Sequence, residues 1–162
     1  MGISMVQNTL QDVEIQSKTI DARGPRFSAV ITSVVLATAL ATHSVWVLVA
    51  QAIVFAIGAF RGPQFTPYTA IFRTVIRPRL KGEVPTEDVR PPRFALSVGL
   101  IFTLIGIAGS IANLPLLFFI AVGFALAASF LNAVFNFCLG CEVYLILLRL
   151  RLVNATPETR GK

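Results

Sequence analysis

Two uncharged stretches dominate the pattern of apolar and polar positions. Residues 27–60 and 94–141 contain no Asp, Glu, Lys or Arg, giving runs of 34 and 48 residues. A helix crosses a hydrocarbon core of ~30 Å with about 20 apolar residues. Each run is therefore long enough for two spans joined by a tight turn. Polar interruptions mark the turns: "ATHSVW" divides the first run into helices over 27–41 and 44–60, and "IANLP" divides the second into 94–111 and 115 to about 137. Pro115 suits the first turn of the last helix, where no backbone donor is needed. The first two spans are short and call on local bilayer thinning or flanking anchors. Neither run shows the period-two alternation of a membrane β-barrel. The pattern predicts an all-α integral membrane protein with four transmembrane helices arranged as two hairpins.

Composition agrees. The chain has 162 residues, of which 55% are hydrophobic and only 14% charged, and its mean hydropathy is +0.75. That is one membrane domain rather than a soluble one. Residues 1–22 form a polar leader. It carries Asp12, Glu14 and Asp21 and lacks the apolar centre of a signal peptide. The membrane domain covers 23–152, and a polar tail covers 153–162.

Charge sets the orientation. All 14 Lys and Arg residues precede the first span, lie between the second and third, or follow the fourth, and the two opposite turns have none. Cations near span ends are retained in the cytoplasm. Both termini are thus expected in the cytoplasm and the chain in the cytoplasmic (inner) membrane. The net charge of +6 follows from this topology and from attraction to anionic headgroups. No nucleic-acid module accompanies the cations, so nucleic acid is not an expected partner; the bilayer is.

The chain also repeats itself. Pro25-Arg26-Phe27 and Pro92-Arg93-Phe94 match at a spacing of 67, and each opens a hairpin. Tyr68 followed five positions later by Arg73 parallels Tyr144 followed by Arg149. Repeat one covers 23–80, a charged, proline-rich connector covers 81–91, and repeat two covers 92–152. Two hairpins of equal polarity form a parallel pseudo-repeat about an axis along the membrane normal. In the repeated motif, proline limits the first turn, arginine sits among headgroups and the ring enters the interface; the alternative is that Arg26 and Arg93 hold an anion. "TPYTAIFRTVIRPRL" (66–80) reads as an amphipathic helix in the cytoplasmic interface. "EVYLILLRLRL" (142–152) is its counterpart or a continuation of the fourth helix.

Cys138 and Cys141, the two cysteines of the chain, fall at the cytoplasmic end of the fourth span. Three readings are open. They form a catalytic or carrier dithiol, they are small packing residues, or they contribute half a metal site completed by another subunit. The sequence itself calls for no metal and no cofactor, and His43, the sole histidine, belongs to the opposite face. Cytosolic conditions disfavour a permanent disulfide and suit a cycling pair. A helix break at Gly140 would put Cys138 at a fresh helix start, which favours the reactive thiolate; an unbroken helix, with Glu142 adjacent, would disfavour it. Asn132 and Asn136 share a face of the same helix. They either bond to a neighbouring helix, with Gln51 as the natural partner, or line a polar route or quinone head pocket.

"RGPRF", "PPRFA" and "FLNAVFNFCLGCEVY" resemble the bacterial membrane family known as DUF4395 over residues 20–152. The positions carrying the resemblance are Asn132, Phe135, Phe137, Cys138, Gly140, Cys141 and Tyr144. Asn136 departs from it, standing where glycine is expected. The resemblance implies companionship with thioredoxin-like proteins or rhodanese-type sulfurtransferases. The expected function is a cytoplasm-facing thiol redox or sulfur-relay protein working through Cys138 and Cys141. The alternative is a noncatalytic scaffold or accessory subunit of a larger membrane complex or homo-oligomer. Whether the chain is an enzyme stays open between the two.

Overall fold

The computed structural model describes residues 2–8, 19–83 and 85–154. The leader over 9–18 and the tail beyond 154 lie outside the described residues. What is described is almost entirely helical. After α1 (residues 2–8) come α2 (Arg23–Thr42), α3 (Val45–Phe60), α4 (Pro67–Ile71), α5 (Arg90–Ile111), α6 (Pro115–Phe135) and α7 (Leu139–Asn154). Helices α2, α5 and α6 are long and apolar enough to cross a membrane. Helix α3 is apolar but has 16 residues, a length of about 24 Å at 1.5 Å per residue.

The polar interruptions end the helices where the sequence indicates. His43 and Asn113 take left-handed conformations in the two hairpin turns, with φ of 52° and 56°. Ser44 caps α3 by accepting the Val47 N–H at 3.5 Å. Pro115 occupies the first turn of α6.

The other ends differ from expectation. Helices α2 and α5 begin several residues earlier than the uncharged runs, because Asp21 and Asp88 each fold back on the chain: their Oδ1 atoms accept the N–H of Arg23 and of Arg90, both at 3.0 Å. Just ahead of them, the end of the polar leader and the charged connector pair as a ribbon. Strand β1 (Thr19–Asp21) runs antiparallel to β2 (Thr86–Asp88), with Ile20 opposite Glu87 and Asp21 opposite Thr86. Ala22 N–H extends the join by donating to the Pro85 carbonyl at 2.8 Å. Residues 19–21 and 86–88 stand 67 positions apart, as do Arg26 and Arg93, so the pairing is unchanged when the two strands are exchanged.

Helix α2 packs along α6, and α3 and α6 pack along α5. The closed core lies towards the hairpin turns and consists of Leu36, Leu48, Phe118, Val122 and Ala125. Towards the other end α4 packs against α2 and is followed by irregular turns, a π-type turn (Phe72–Ile76) and a 3-10 turn (Arg77–Arg79). This segment is not the regular amphipathic helix expected over 66–80. It tucks inwards: Phe72 is buried and its ring lies 5.7 Å from that of Phe27. Outward-facing Trp46, Phe60, Ile111 and Leu116 are more than two-thirds exposed, a surface that hydrocarbon satisfies and water does not.

Arg26 and Arg93, both exposed, each bond to the end of a neighbouring helix. Arg93 donates from Nε to the Ala59 carbonyl at 2.7 Å and from Nη2 to that of Phe60 at 2.8 Å. Arg26 donates from Nε to the Ala133 carbonyl at 3.3 Å. Each guanidinium thus reaches the carbonyls at the C-terminal end of the helix its own helix packs against, where backbone acceptors lack helical partners and the helix dipole favours a cation.

Candidate functional site at Cys138 and Cys141

The geometry of the cysteine pair begins with where α6 stops. The helix ends at Phe135, and Asn136 takes the left-handed conformation with φ 54°. The N–H groups of Asn136 and Phe137 both return to the Leu131 carbonyl, so the last turn closes on a single acceptor. The break therefore lies at 136, ahead of Gly140. This accounts for the glycine that the family resemblance leads one to expect at 136: the position needs a left-handed residue, and asparagine is the side chain that tolerates it best after glycine.

The chain then restarts. Cys138 stands at the N-cap of α7, its carbonyl accepting the Glu142 N–H at 3.0 Å and its Sγ accepting the Cys141 N–H at 3.3 Å. Cys138 and Cys141 are joined as a disulfide, with Cα atoms 5.1 Å apart. Both are half-buried. An N–H directed at a sulfur and the positive end of a helix are the features that in general favour a cysteine thiolate. Glu142 opposes this, but its carboxylate is exposed and screened by solvent ions.

Gly140 serves packing. A β-carbon on it would lie 2.6 Å from the β-carbon of Ala95, so the first turn of α7 meets the first turns of α5 without room for a side chain. One turn on, the Tyr144 ring lies 5.6 Å from that of Phe94. The glycine and tyrosine of the sequence motif thus hold the start of α7, and with it the disulfide, against α5.

The disulfide lies in the wall of a cavity of about 560 Å³ lined by residues of α2 to α7, Tyr68 of α4 among them, to which Asn132 and Asn136 also contribute. Their expected partner Gln51 is elsewhere. It is fully buried, and its Oε1 accepts from Tyr68 Oη at 2.8 Å, while its Nε2 has no partner among the described residues. Burial raises the Tyr68 pKa above its ordinary value. The sequence marked Tyr68 as part of a repeat and of the amphipathic segment over 66–80; nothing local revealed that it reaches α3. His43 lies at the far end of α2, with its ring 4.9 Å from that of Phe119. Among the described residues, no three His, Cys, Asp or Glu side chains gather as a metal site would require.

These features define a helical protein of membrane-spanning character with a Cys-x-x-Cys disulfide at a helix start. The chain belongs to the family described as a domain of unknown function, DUF4395, whose profile matches residues 20–149. No curated protein and no solved structure matches it significantly.

Proposed function

We propose that the protein is a membrane thiol redox protein whose Cys138 and Cys141 exchange electrons with a thioredoxin-like or rhodanese-type partner in the cytoplasm. In this reading α3 is the fourth span, supported by local thinning, the two hairpins are repeats, and both termini are cytoplasmic. The ribbon that pairs residues 19–21 with 86–88 and the matching caps made by Arg26 and Arg93 support the repeat. The distribution of cations supports the orientation.

The observation that carries the reading is Cys138 at the N-cap of α7, already bonded to Cys141. In the reduced protein the Cys138 thiolate attacks one sulfur of a partner disulfide and expels the other as a thiolate, which takes up a proton. Cys141, as its thiolate, then attacks the Cys138 sulfur of the mixed disulfide and releases the partner's second thiol. In this direction the chain loses two electrons and the partner gains them. In the reverse direction a reduced partner's thiolate attacks the Cys138 sulfur, expels Cys141 as a thiolate, and its second thiol releases Cys138, so that the chain gains two electrons and the partner leaves as a disulfide. With a partner persulfide, Cys138 accepts the terminal sulfur and Cys141 displaces it as hydrosulfide, leaving the same Cys138–Cys141 bond.

Trapping tests this. A Cys141→Ser variant expressed in cells should accumulate mixed disulfides through Cys138 with a thioredoxin-like or sulfurtransferase protein. If neither single-serine variant yields an adduct and the double-serine variant assembles and functions as wild type does, the protein is a noncatalytic accessory subunit.

A further inference from the structure

We infer that the cavity beside Cys138–Cys141 is the binding site of a lipophilic quinone that re-forms this disulfide from the dithiol. The inference rests on the thiol-redox reading with the exchange running from a reduced partner to the Cys138–Cys141 bond, and it names the acceptor that takes the two electrons onward from the resulting dithiol.

The cavity has the size of a small-molecule site, about 560 Å³ against the usual range of roughly 300–1,000 Å³. Along α5 its lining runs from Pro91 to Phe102, a depth of about 16 Å at 1.5 Å per residue. It therefore leads from the disulfide into the apolar layer. Phe55, Phe102 and Phe124 contribute to its wall, offering aromatic faces to a flat ring or a prenyl arm.

The polar groups near the sulfurs narrow the ligand class. Asn132 and Asn136 line the same cavity as Cys138 and Cys141. An amide can donate to a quinone carbonyl and accept from a quinol hydroxyl, so one side chain serves both redox states. A carboxylate or phosphate ligand would call for a cluster of free cations instead. Arg26 lines the cavity, but its Nε is bound to the Ala133 carbonyl. The chemistry balances: the two S–H bonds break, one S–S bond forms, and the two electrons and two protons reduce the quinone oxygens to a hydroquinone.

The test uses the full chain in lipid nanodiscs, reduced with dithiothreitol that is then removed. Disulfide formation is read by thiol alkylation after adding decylubiquinone or, in parallel, oxidised glutathione. Decylubiquinone should re-form the disulfide at least tenfold faster than buffer alone, with a rate that saturates. Ala128→Phe, which fills the cavity from α6, should lower that rate at least tenfold. Because this variant may also perturb folding, saturable binding of decylubiquinone to the Cys138→Ser/Cys141→Ser double variant, measured by equilibrium dialysis, provides an independent readout. Reoxidation by glutathione but not by quinone overturns the inference and leaves the thiol-redox reading standing; a non-saturating quinone rate, or a resident phospholipid that quinone does not displace, does the same. Failure of both oxidants to re-form the disulfide overturns the thiol-redox reading as well.

Discussion

Gly140 and Ala95 approach so closely that a β-carbon on the glycine would come within 2.6 Å of the alanine β-carbon and 2.7 Å of its α-carbon. The obstacle is backbone and a methyl stub rather than the end of a flexible side chain, so α7 itself would have to move. Gly140→Ala should therefore destabilise the protein by about 1–3 kcal/mol, the usual range for overpacking. It should also slow formation of the Cys138–Cys141 bond. Thermal unfolding and the rate of thiol loss on mild oxidation check the two effects.

Asn136 supports the same element through its backbone. Asn136→Gly should leave stability unchanged or raise it, whereas Asn136→Val should cost about 1–2 kcal/mol, since a β-branched residue fits the left-handed region poorly. A reversed order in thermal melts would mean that the asparagine side chain, not its φ, matters at the helix break.

The two thiols should differ in reactivity. In the reduced protein at neutral pH, Cys138 should be alkylated several-fold faster than Cys141, because its sulfur accepts the N–H of residue 141 at the head of α7. Single-cysteine variants treated with iodoacetamide give the ratio directly, and equal rates would remove the N-cap argument.

Tyr68 and Gln51 form a buried pair whose partners depend on each other. Tyr68→Phe removes the donor and leaves the Gln51 carbonyl oxygen buried without a bond, a loss of about 1–3 kcal/mol. Adding Gln51→Leu should recover much of it, which a double-mutant cycle reads. The pair also has a pH signature. Burial raises the Tyr68 pKa, so the folded state holds this proton more tightly than the unfolded state. The resulting stability is complete below the unfolded value near 10 and is lost as pH rises from there through the higher folded value. Tyr68→Phe should flatten that alkaline decline.

The arginine caps should rank by geometry. Arg93 makes two bonds of 2.7 and 2.8 Å and Arg26 one of 3.3 Å. Arg93→Gln should accordingly lower the melting temperature more than Arg26→Gln does, and the opposite order would point to a role for Arg26 outside capping.

Taken alone, the sequence determined the apolar helices, the places where the hairpins turn and the position of the sulfur pair. Hydropathy, charge and turn-forming residues act over one or two turns of chain, so a local reading captures them. The 67-residue spacing was equally present, and it extends to Asp21 and Asp88, but three-residue strands are too short to announce themselves by periodicity. The tertiary structure decided the rest. It placed the helix break at Asn136, where Gly140 had been the natural suspect, and gave Gln51 to Tyr68 rather than to the α6 asparagines. It also turned Arg26 and Arg93 towards carbonyls 107 and 34 residues away. Each of these depends on which distant backbone acceptor or cavity wall comes within reach of a side chain, and that is settled only when the helices pack.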